Sequence, residues 1–434
     1  LSDKAVREKA IQAVDERLKE IDEIFESKNN FDDYARKLYL IENCIYGIDI
    51  QPIAVQISKL RFFISLIIDQ DKDNKKENLG FRSLPNLETK FVAANTLISL
   101  EIPTTDLFSE NNPIKLLQEQ LKATRHEYFN AKTRKEKLRL QQQDKELRKK
   151  IAAQISDTLI NKKEEEIANL EKQLAEAKKK LTQIENGAEQ KETIESTNIF
   201  GETETIIIDK KKEKIKAQKS TISFIEKQIN TLKAADNKDA IQKVAQQISS
   251  FDPYDQNHFA NWFEPEWMFG NEVNGGFDIV IGNPPYITYK GKEVVDVSNE
   301  EIEKLKALYP NSAEYKVNSY ALFTERGLNL LSVNGTLSYI IPSTILQNEY
   351  LKKIRKYLIT KYHISQIVSF ANKVFEAVTD SIILLINNKH SKNLTTTALR
   401  KSDLDFSNLE DKKNYSQSIW DDDKNDYVIN LKTN

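Results

Sequence analysis

Apolar residues recur along the first hundred positions in alternating helical and strand patterns. Residues 3–43 place apolar side chains at steps of three and four, which predicts an amphipathic helix. A β-prone run at 44–50 ends in an acid, and a helix that is apolar enough to be buried on most sides follows at 54–69. Another β-prone stretch lies at 89–97. This order of strand, helix and strand predicts an α/β fold with a parallel sheet.

The middle of the chain has a different pattern. The 139 residues after Pro113 contain no proline, and Lys, Glu, Gln, Leu and Ile dominate them. Leucines on helical faces predict long helices there. Asn186-Gly187 and the stretch 194–209 interrupt the pattern, which favours two or more antiparallel arms over one rod. The segment 111–250 is too long for a loop, so we predict an all-helical, coiled-coil-like insertion.

After residue 250 the apolar runs become short and strand-like again. Strands are predicted at 276–286, 334–342, 364–370 and 381–388, and helices at 315–332 and 344–360. From Leu394 onward the sequence is polar. The predicted regions are a first sheet region at 1–110, the insertion at 111–250, a second sheet region at 251–393 and a linker at 394–434.

Composition excludes several classes of protein. Lys and Arg number 64 against 66 for Asp and Glu, so any contact with nucleic acid must come from local patches rather than bulk charge. Cys44 is the single cysteine and there are four histidines, so the chain has neither a disulfide framework nor a zinc ligand set. No apolar run approaches the roughly 18 residues that cross a bilayer, and the N-terminus does not look like a signal peptide. We predict a cytoplasmic protein without a membrane partner.

Glycine is scarce, with 11 in 434 residues against a usual share of about 7%. No two glycines are separated by a single residue, so a Gly-rich nucleotide loop is missing. The chain begins at Leu1 and its only methionine is Met268. We therefore expect the sequence to be an excerpt of a longer polypeptide.

One four-residue motif carries the candidate chemistry. Asn283-Pro284-Pro285-Tyr286 directly follows a predicted strand, at the sheet edge where open α/β folds bind ligands. The prolines remove two N–H donors, so the turn carbonyls and the Asn283 oxygen can accept both hydrogens of an amino group. Tyr286 offers a flat face for stacking a base, worth about 1–3 kcal/mol. The alternative is a Pro-Pro turn in which Asn283 only caps backbone groups.

Such a motif suits the amino group of adenine. This amine is a poor nucleophile because its lone pair is delocalised into the ring. Acceptors that bind both hydrogens concentrate the lone pair on nitrogen, ready to attack a sulfonium methyl, and no strong base is needed beforehand. A target base within a duplex would have to swing out, at a cost of a few kcal/mol.

Two further polar residues stand at predicted strand ends. Asp49 is placed to accept hydrogen bonds from both ribose hydroxyls of a cofactor. Its alternative role is to cap the helix that opens at Pro52. Asn95 has an amide that can face an adenine edge, and its alternative role is that of a turn residue.

A basic stretch at 132–150 contains nine Lys and Arg against three acids. A basic helical arm of this kind can contact phosphates. The candidate contacts are Lys132, Arg134, Lys135 and Arg139. The alternative is a solvated helix face on which Glu136, Asp144 and Glu146 pair with the lysines.

With these residues the chain resembles the amino-methyltransferases of DNA, in particular the adenine-N6 methylase portion of single-chain type IIG restriction–modification and phage-exclusion enzymes. The most specific string is GFDIVIGNPPYI, supported by YGIDIQPIAVQISKLR, and the resemblance covers 31–110 and 251–390. It implies a Rossmann-like S-adenosylmethionine-dependent methyltransferase sheet that is interrupted by the helical insertion.

The resemblance also implies roles for individual residues. Asn283, Pro284, Pro285 and Tyr286 correspond to the motif that holds the target base. The cofactor residues it implies are Asp49 and Ile50 for its ribose and adenine, and Asn95 and Thr96 at a small polar strand end. Double-stranded DNA and the remainder of the same polypeptide are the implied partners.

The chain departs from the family at one place. The first strand and the Gly-rich turn that holds the methionine part of the cofactor are missing, and we expect them before Leu1. A target-recognition domain is expected after Asn434, and a nuclease domain, if there is one, before the methylase. The chain would then hold half of a cofactor pocket.

Two other functions remain open from the sequence. A motif of this type also serves methylases of RNA bases and of protein glutamine side chains, although those enzymes are usually compact. The chain could also be a DNA-binding or assembly module whose methylase fold is vestigial, with the helical arms as its working part. The intact Asn283 and Tyr286 argue against this last function.

Overall fold

The computed structural model describes most of the chain. The described residues are 32–68, 70, 74–75, 79, 85–100, 113–188, 191–197, 203–233, 236–270, 273, 275–289, 298–370, 380–389, 394–401 and 412–431. Most of the helix predicted at 3–43 lies outside them. Within the described residues, no helix has the length and apolarity needed to cross a lipid bilayer.

The chain divides into two compact units. The first comprises Leu1–Asp71, Lys90–Ser99 and Phe259–Asn434, and the second comprises Lys72–Thr89 and Leu100–His258. The first unit therefore contains the stretches with strand patterning, and the second contains the stretch predicted as helical arms.

The described part of the first unit begins with two helices and two short strands. In chain order these are α1 (Asp32–Asn43), β1 (Gly47–Asp49), α2 (Pro52–Ile68) and β2 (Phe91–Ala93). β1 and β2 pair in parallel, with Asp49 opposite Ala93. A Cβ at Gly47 would collide with the ring of Phe91, so a larger residue at Gly47 would push β1 away from β2.

Helix α2 forms as predicted, but the expectation that it is buried on most sides is wrong. Of its residues only Val55, Lys59 and Leu66 are buried. Six apolar residues at helical spacing are 41–74% exposed, namely Ile53, Ile57, Leu60, Ile64, Ile67 and Ile68. Apolar content alone suggested burial, whereas only the face of α2 that packs on β1 and β2 is covered.

The second unit is mostly helical. Its elements are α3 (Pro113–Asn130), α4 (Arg134–Asn186), β3 (Lys191–Thr197), β4 (Thr203–Asp209), α5 (Lys210–Lys233) and α6 (Asp236–Ser250). The Thr133 side chain accepts a hydrogen bond from the Glu136 N–H and caps the start of α4, and Gly187 ends it. α4 packs along α5 through Ala177, Ile222 and Ile225.

The insertion is not all-helical, contrary to the expectation. Where the sequence indicated a break, β3 and β4 form an antiparallel hairpin with Lys191 opposite Asp209. The hairpin sequences are rich in Thr and Ile, and these β-branched residues favour strands over helices.

A fully buried carboxylate joins α3 to α4. Asp144 accepts hydrogen bonds from Arg125 Nε at 2.8 Å and from Arg148 Nε at 2.6 Å. Burial raises the pKa of Asp144, but the charges of Arg125 and Arg148 outweigh burial and hold that pKa below its usual value. The alternative in which Asp144 pairs with surface lysines is therefore wrong.

The second half of the first unit builds a six-stranded sheet with helices between its strands. Its elements are α7 (Pro265–Met268), β5 (Phe277–Gly282), α8 (Asn299–Leu308), α9 (Ser319–Asn329), β6 (Leu331–Pro342), α10 (Lys352–Lys361), β7 (His363–Phe370), β8 (Ser381–Asn387), β9 (Thr395–Lys401) and β10 (Lys413–Ser416). The strand order is β10-β9-β7-β8-β6-β5. β5 and β6 run parallel, and β8 is antiparallel to β6 and β7. The strands predicted around 276–286, 334–342, 364–370 and 381–388 are all present.

The expectation of a linker at 394–434 does not hold for the described part of that range. β9 pairs in parallel with β7, and β10 pairs with β9. Trp420, Tyr427 and Ile429 are buried in the same core as the central strands. The polar composition of this segment gave no strand signal, because an edge strand needs few apolar side chains. Its contacts with the core come from isolated apolar residues.

Strand β5 was expected to be buried, but only one of its faces is covered, and only in part. Val280 packs against the core that also contains Leu337 and Ile341. Ile279 and Ile281 point to the opposite face, because side chains alternate along a strand, and are 69% and 79% exposed.

Candidate active site

The candidate motif forms the turn that ends β5. The strand stops at Gly282, and Pro284 and Pro285 cannot donate to a further ladder of hydrogen bonds. Asn283 and Pro285 are exposed and Pro284 is buried. The Asn283 side chain therefore lies at the carboxyl end of the strand, open to a ligand.

Tyr286 is held in place by two contacts. Its hydroxyl donates a hydrogen bond to the Ile340 carbonyl of β6 at 3.2 Å. Its ring meets Tyr320 edge to face, with ring centroids 6.3 Å apart and an interplanar angle of 82°. The ring is half-buried, so part of its surface remains available for stacking.

The residues after the turn pair with the start of α9. Tyr289 N–H donates to the Val317 carbonyl at 2.9 Å, and Ser319 N–H donates to the Ile287 carbonyl at 2.8 Å. Thr288 Oγ1 also donates to Asn318 Oδ1 at 2.9 Å. These bonds fix the position of α9 relative to the motif.

Ser319 adds two side-chain bonds to the motif itself. Its Oγ donates to the Pro285 carbonyl and accepts from the Ile287 N–H at 2.9 Å. Among the described residues, neither the Asn283 side chain nor the Pro284 carbonyl has a hydrogen-bond partner. Of the acceptors expected at this turn, these two are the ones without a partner in the described part of the chain, and Asn283 is also exposed.

Asp49 lies at the carboxyl end of β1 and is exposed. Its Oδ1 accepts a hydrogen bond from the Gln51 N–H at 2.8 Å. Gln51 precedes α2, so Asp49 does not bond to the N–H groups inside the helix that a helix cap would satisfy. Ile50 beside it is 58% exposed, so both residues are accessible to a cofactor.

Asn95 and Thr96 follow β2, at the same sheet edge as Asp49, because β1 and β2 are parallel. Asn95 Oδ1 accepts from the Leu97 N–H at 3.1 Å, which is the turn role that the sequence left open. Thr96 contributes its carbonyl, which accepts from Arg326 Nε at 3.0 Å. The structure thus places Asp49 and Asn95 on neighbouring strand ends.

Helix α9 makes polar contacts that the sequence analysis did not assign. Arg326 donates to the Thr96 carbonyl and, through Nη2, to the Phe263 carbonyl at 2.9 Å. Glu325 is buried and accepts hydrogen bonds from the Ser312 hydroxyl and the Asn311 side chain. The sequence predicted a helix at 315–332, but it gave no signal for these contacts because the polar partners are far apart in sequence.

A half-buried acid, Glu264, lies close to Arg326. Burial raises the pKa of Glu264, and the charge of Arg326 partly offsets this effect. Glu264 precedes α7, whose Trp267 and Met268 are buried. The Arg326 guanidinium also lies 5.8 Å from the centre of the Phe263 ring, so the segment that carries Phe263 is joined to α9 by a ring contact as well as by a hydrogen bond.

The two sheets of the first unit begin side by side. The ring of Tyr46, which precedes β1, lies 5.9 Å from the ring of Phe277, the first residue of β5. Within the described residues, β1 and β5 each pair on one side only. A strand with a Gly-rich turn, which the resemblance leads us to expect, is not among the described residues.

The four candidate phosphate contacts belong to the second unit. Lys132, Arg134, Lys135 and Arg139 are all exposed at or near the start of α4. Arg139 pairs with Glu127 at 3.5 Å, whereas the other three have no ion pair in the part of the chain that the structure describes. Three of the four positive charges are therefore without an ion-pair partner among the described residues.

Comparison with known proteins identifies the relatives of this chain. Over 371 residues it is 25% identical to a putative type II restriction enzyme and methyltransferase of Methanocaldococcus jannaschii. The aligned region covers 84% of this chain and 27% of the relative. Over 120 residues it is 33% identical to a type II restriction enzyme and methyltransferase of Escherichia coli, covering 27% of this chain and 12% of the relative. The chain therefore spans about a quarter or less of the length of these relatives.

Among solved structures, the type IIG restriction endonuclease BpuSI matches 42% of this chain and 27% of its own, with 12% identity and a TM-score of 0.28. The assignment rests instead on a family model. The model described as Eco57I restriction-modification methylase matches residues 43–375, which include Asp49, Asn95 and the turn at Asn283. The chain belongs to the Eco57I restriction-modification methylase family.

Proposed function

We propose that the protein methylates N6 of adenine at a specific site in double-stranded DNA, as part of a restriction–modification or phage-defence enzyme. The observation that carries this proposal is the pair of unpartnered acceptors at the turn after β5, the Asn283 side chain and the Pro284 carbonyl, among the described residues. They match the two hydrogens of one exocyclic amino group.

S-adenosylmethionine is the cofactor of this methylase domain and supplies an electrophilic methyl group. Part of its site fits the described residues. Asp49 uses one carboxylate oxygen in its turn, and the other can accept from the ribose hydroxyls. Ile50 is exposed beside it for the adenine ring, and Asn95 has an amide for the ring edge. Thr96 contributes the backbone of the same strand end.

The chain's own residues act on the target amine. Asn283 Oδ1 and the Pro284 carbonyl accept its two hydrogens, which draws the lone pair out of the ring and onto nitrogen. The proton is lost only after nitrogen carries positive charge, and Asn283 is exposed enough for solvent to receive it. This sequence of events requires no histidine at the site.

Tyr286 supplies the surface for the base. Its hydroxyl bond to Ile340 and its contact with Tyr320 hold the ring in one orientation. A base that has left the duplex can stack there, and the stacking energy of about 1–3 kcal/mol offsets part of the cost of extrusion.

The partners follow from the same proposal. Lys132, Arg134, Lys135 and Arg139 would contact DNA phosphates, since three of them have no ion pair among the described residues. The relatives are named as restriction enzymes and methyltransferases, and this chain covers a minor part of their length. We propose that other parts of the same polypeptide complete the cofactor pocket and recognise the DNA sequence, and that the enzyme is cytoplasmic.

The test is transfer of a tritiated methyl group. Full-length protein with labelled S-adenosylmethionine should label duplex DNA rather than RNA or protein. Asn283→Ala should reduce labelling by at least about 10²-fold, because it removes one of two hydrogen-bond acceptors that position the amine. Asn329→Ala, an exposed asparagine at the end of α9, is the matched control and should label DNA normally.

Other outcomes would favour the alternatives. Label on tRNA or on protein glutamine would show that the protein transfers methyl groups to a substrate other than DNA. No label on any substrate by the intact full-length protein would indicate a vestigial methylase fold and a role in DNA binding or assembly.

A further inference from the structure

Ser319 is fully buried and forms hydrogen bonds with Pro285 of the motif and with Ile287, the residue that follows the motif. Its backbone N–H donates to the Ile287 carbonyl at 2.8 Å, and its Oγ accepts from the Ile287 N–H at 2.9 Å. The same Oγ donates its proton to the Pro285 carbonyl. One hydroxyl therefore uses both its donor and an acceptor position on the backbone of a single turn.

The helix that carries Ser319 is itself fixed along its length. A Cβ at Gly327 would lie 2.7 Å from Leu337 Cδ1 and 2.7 Å from the Tyr339 hydroxyl, so α9 lies directly against β6. Arg326 joins α9 to Thr96 and Phe263. Ser319 is thus anchored to the sheet rather than to a movable loop.

The hydrogen bond from Ser319 to the Pro285 carbonyl influences the direction of the Pro284 carbonyl, which precedes it in the chain. The ring of Pro285 fixes its φ near −65°. This torsion relates the carbonyl carbon of Pro285 to that of Pro284. Once Ser319 holds the Pro285 carbonyl, this fixed φ restricts rotation of the plane of the peptide bond between the two prolines. The orientation of the Pro284 carbonyl is therefore set from α9.

We infer that Ser319 is a positioning residue for methyl transfer, which rests on the function proposed above. By holding the Pro285 carbonyl and the Ile287 N–H, it aims the Pro284 carbonyl at the amine and keeps Asn283 beside it. It does not touch the substrate. Without this hydroxyl the two acceptors no longer converge, although the cofactor residues on β1 and β2 keep their own hydrogen bonds.

The test compares Ser319→Ala with wild type in the full-length protein. The single-turnover rate of methyl transfer at saturating DNA and cofactor should fall by about 10²-fold, because misplacement of acceptors by about 1 Å has this effect. The dissociation constant for S-adenosylmethionine and the KM for DNA should stay within about twofold, since neither depends on the aim of the Pro284 carbonyl.

Thr324→Val is the matched control on the same helix. Thr324 is as buried as Ser319, but its hydroxyl donates to the Tyr320 carbonyl within α9, at 2.7 Å. The control removes a buried hydroxyl and should lower the melting temperature about as much as Ser319→Ala, while the transfer rate stays within about twofold of wild type. Equal rate losses in the two variants would overturn the inference, as would an unchanged rate in Ser319→Ala.

A second variant keeps the test decisive if Ser319→Ala does not fold. Thr288→Val removes the half-buried bond between Thr288 and Asn318, which joins the same two segments. Its rate should fall by roughly tenfold with unchanged cofactor affinity. A wild-type rate in this variant would then overturn the inference. Because wild type and Asn283→Ala are measured beside it, failure of the proposed reaction itself would be seen separately, as absence of methyl transfer in wild type.

Discussion

At the scale of single residues, the site separates into acceptors that are occupied and acceptors that are left open. The Pro285 carbonyl is bonded to Ser319, whereas the Pro284 carbonyl and the Asn283 side chain have no partner among the described residues. The sequence predicted the motif because its chemistry lies in four consecutive residues. It could not predict Ser319, because that bond joins positions 34 residues apart and exists only once α9 is docked.

Asp49 offers the sharpest residue-scale prediction about the cofactor. Its exposed carboxylate has one oxygen bonded to the Gln51 N–H and one available to ribose. Hydrogen bonds to a charged group contribute about 1.5–3 kcal/mol, so Asp49→Ala should weaken S-adenosylmethionine binding by roughly 10- to 100-fold. Isothermal titration of the full-length protein measures this.

Asp422→Ala is the matched control for Asp49, because its carboxylate also accepts from a nearby backbone N–H, that of Lys424, outside the candidate site. It should leave cofactor affinity unchanged. An unchanged dissociation constant in Asp49→Ala would show that Asp49 does not bind the cofactor and only stabilises the turn before α2.

At the scale of elements, the pattern of apolar residues predicted where the central strands lie. It did not predict which faces of the helices and strands are buried. β6, β7 and β8 contain apolar, β-prone runs that are visible in the sequence. The exposed side of α2, the open face of β5 and the burial of Trp420 depend on which neighbour packs where, and residue spacing carries no information about that. The hairpin of β3 and β4 was missed because the surrounding helical composition outweighed its own.

The buried charge cluster between α3 and α4 leads to a pH-dependent prediction. The pKa of Asp144 is below its usual value, so the stability that its ionised form contributes is present above the unfolded-state pKa of about 3.9. This contribution is lost as pH falls through the lower, folded-state pKa. Asp144→Asn should destabilise the protein by about 3–5 kcal/mol at pH 7, because Arg125 and Arg148 lose their buried partner.

Urea unfolding of the full chain at pH 7 and at pH 3 checks this prediction. The difference between wild type and Asp144→Asn should shrink at the lower pH. Glu146→Gln, an exposed acid on the same helix, should change stability by less than about 0.5 kcal/mol at both values. A difference between wild type and Asp144→Asn that does not change with pH would show that Asp144 does not titrate as described.

At the scale of the whole molecule, a net charge of −2 means that affinity for DNA has to be local. Three of the four basic residues near the start of α4 have no ion pair among the described residues. Replacing Lys132, Arg134, Lys135 and Arg139 with glutamine should weaken DNA binding. It should also reduce the slope of log affinity against log salt by up to about 0.9 for each DNA phosphate that the variant no longer neutralises.

The control for this experiment removes four charges elsewhere on the helices. Lys172, Lys179, Lys180 and Lys227 are exposed on α4 and α5, and their replacement by glutamine changes the net charge equally. If both quadruple variants alter the salt slope alike, the effect is one of total charge. If neither does, the start of α4 serves assembly instead of DNA binding.

The central claim is that the turn after β5 receives the amino group of adenine, and the product nucleoside tests it most directly. Duplex DNA is incubated with full-length protein and S-adenosylmethionine, digested to nucleosides and analysed by mass spectrometry. We predict N6-methyladenine from wild type and a loss of at least about 10²-fold from Asn283→Ala. Methyl groups on another base, or undiminished N6-methyladenine from Asn283→Ala, would contradict it.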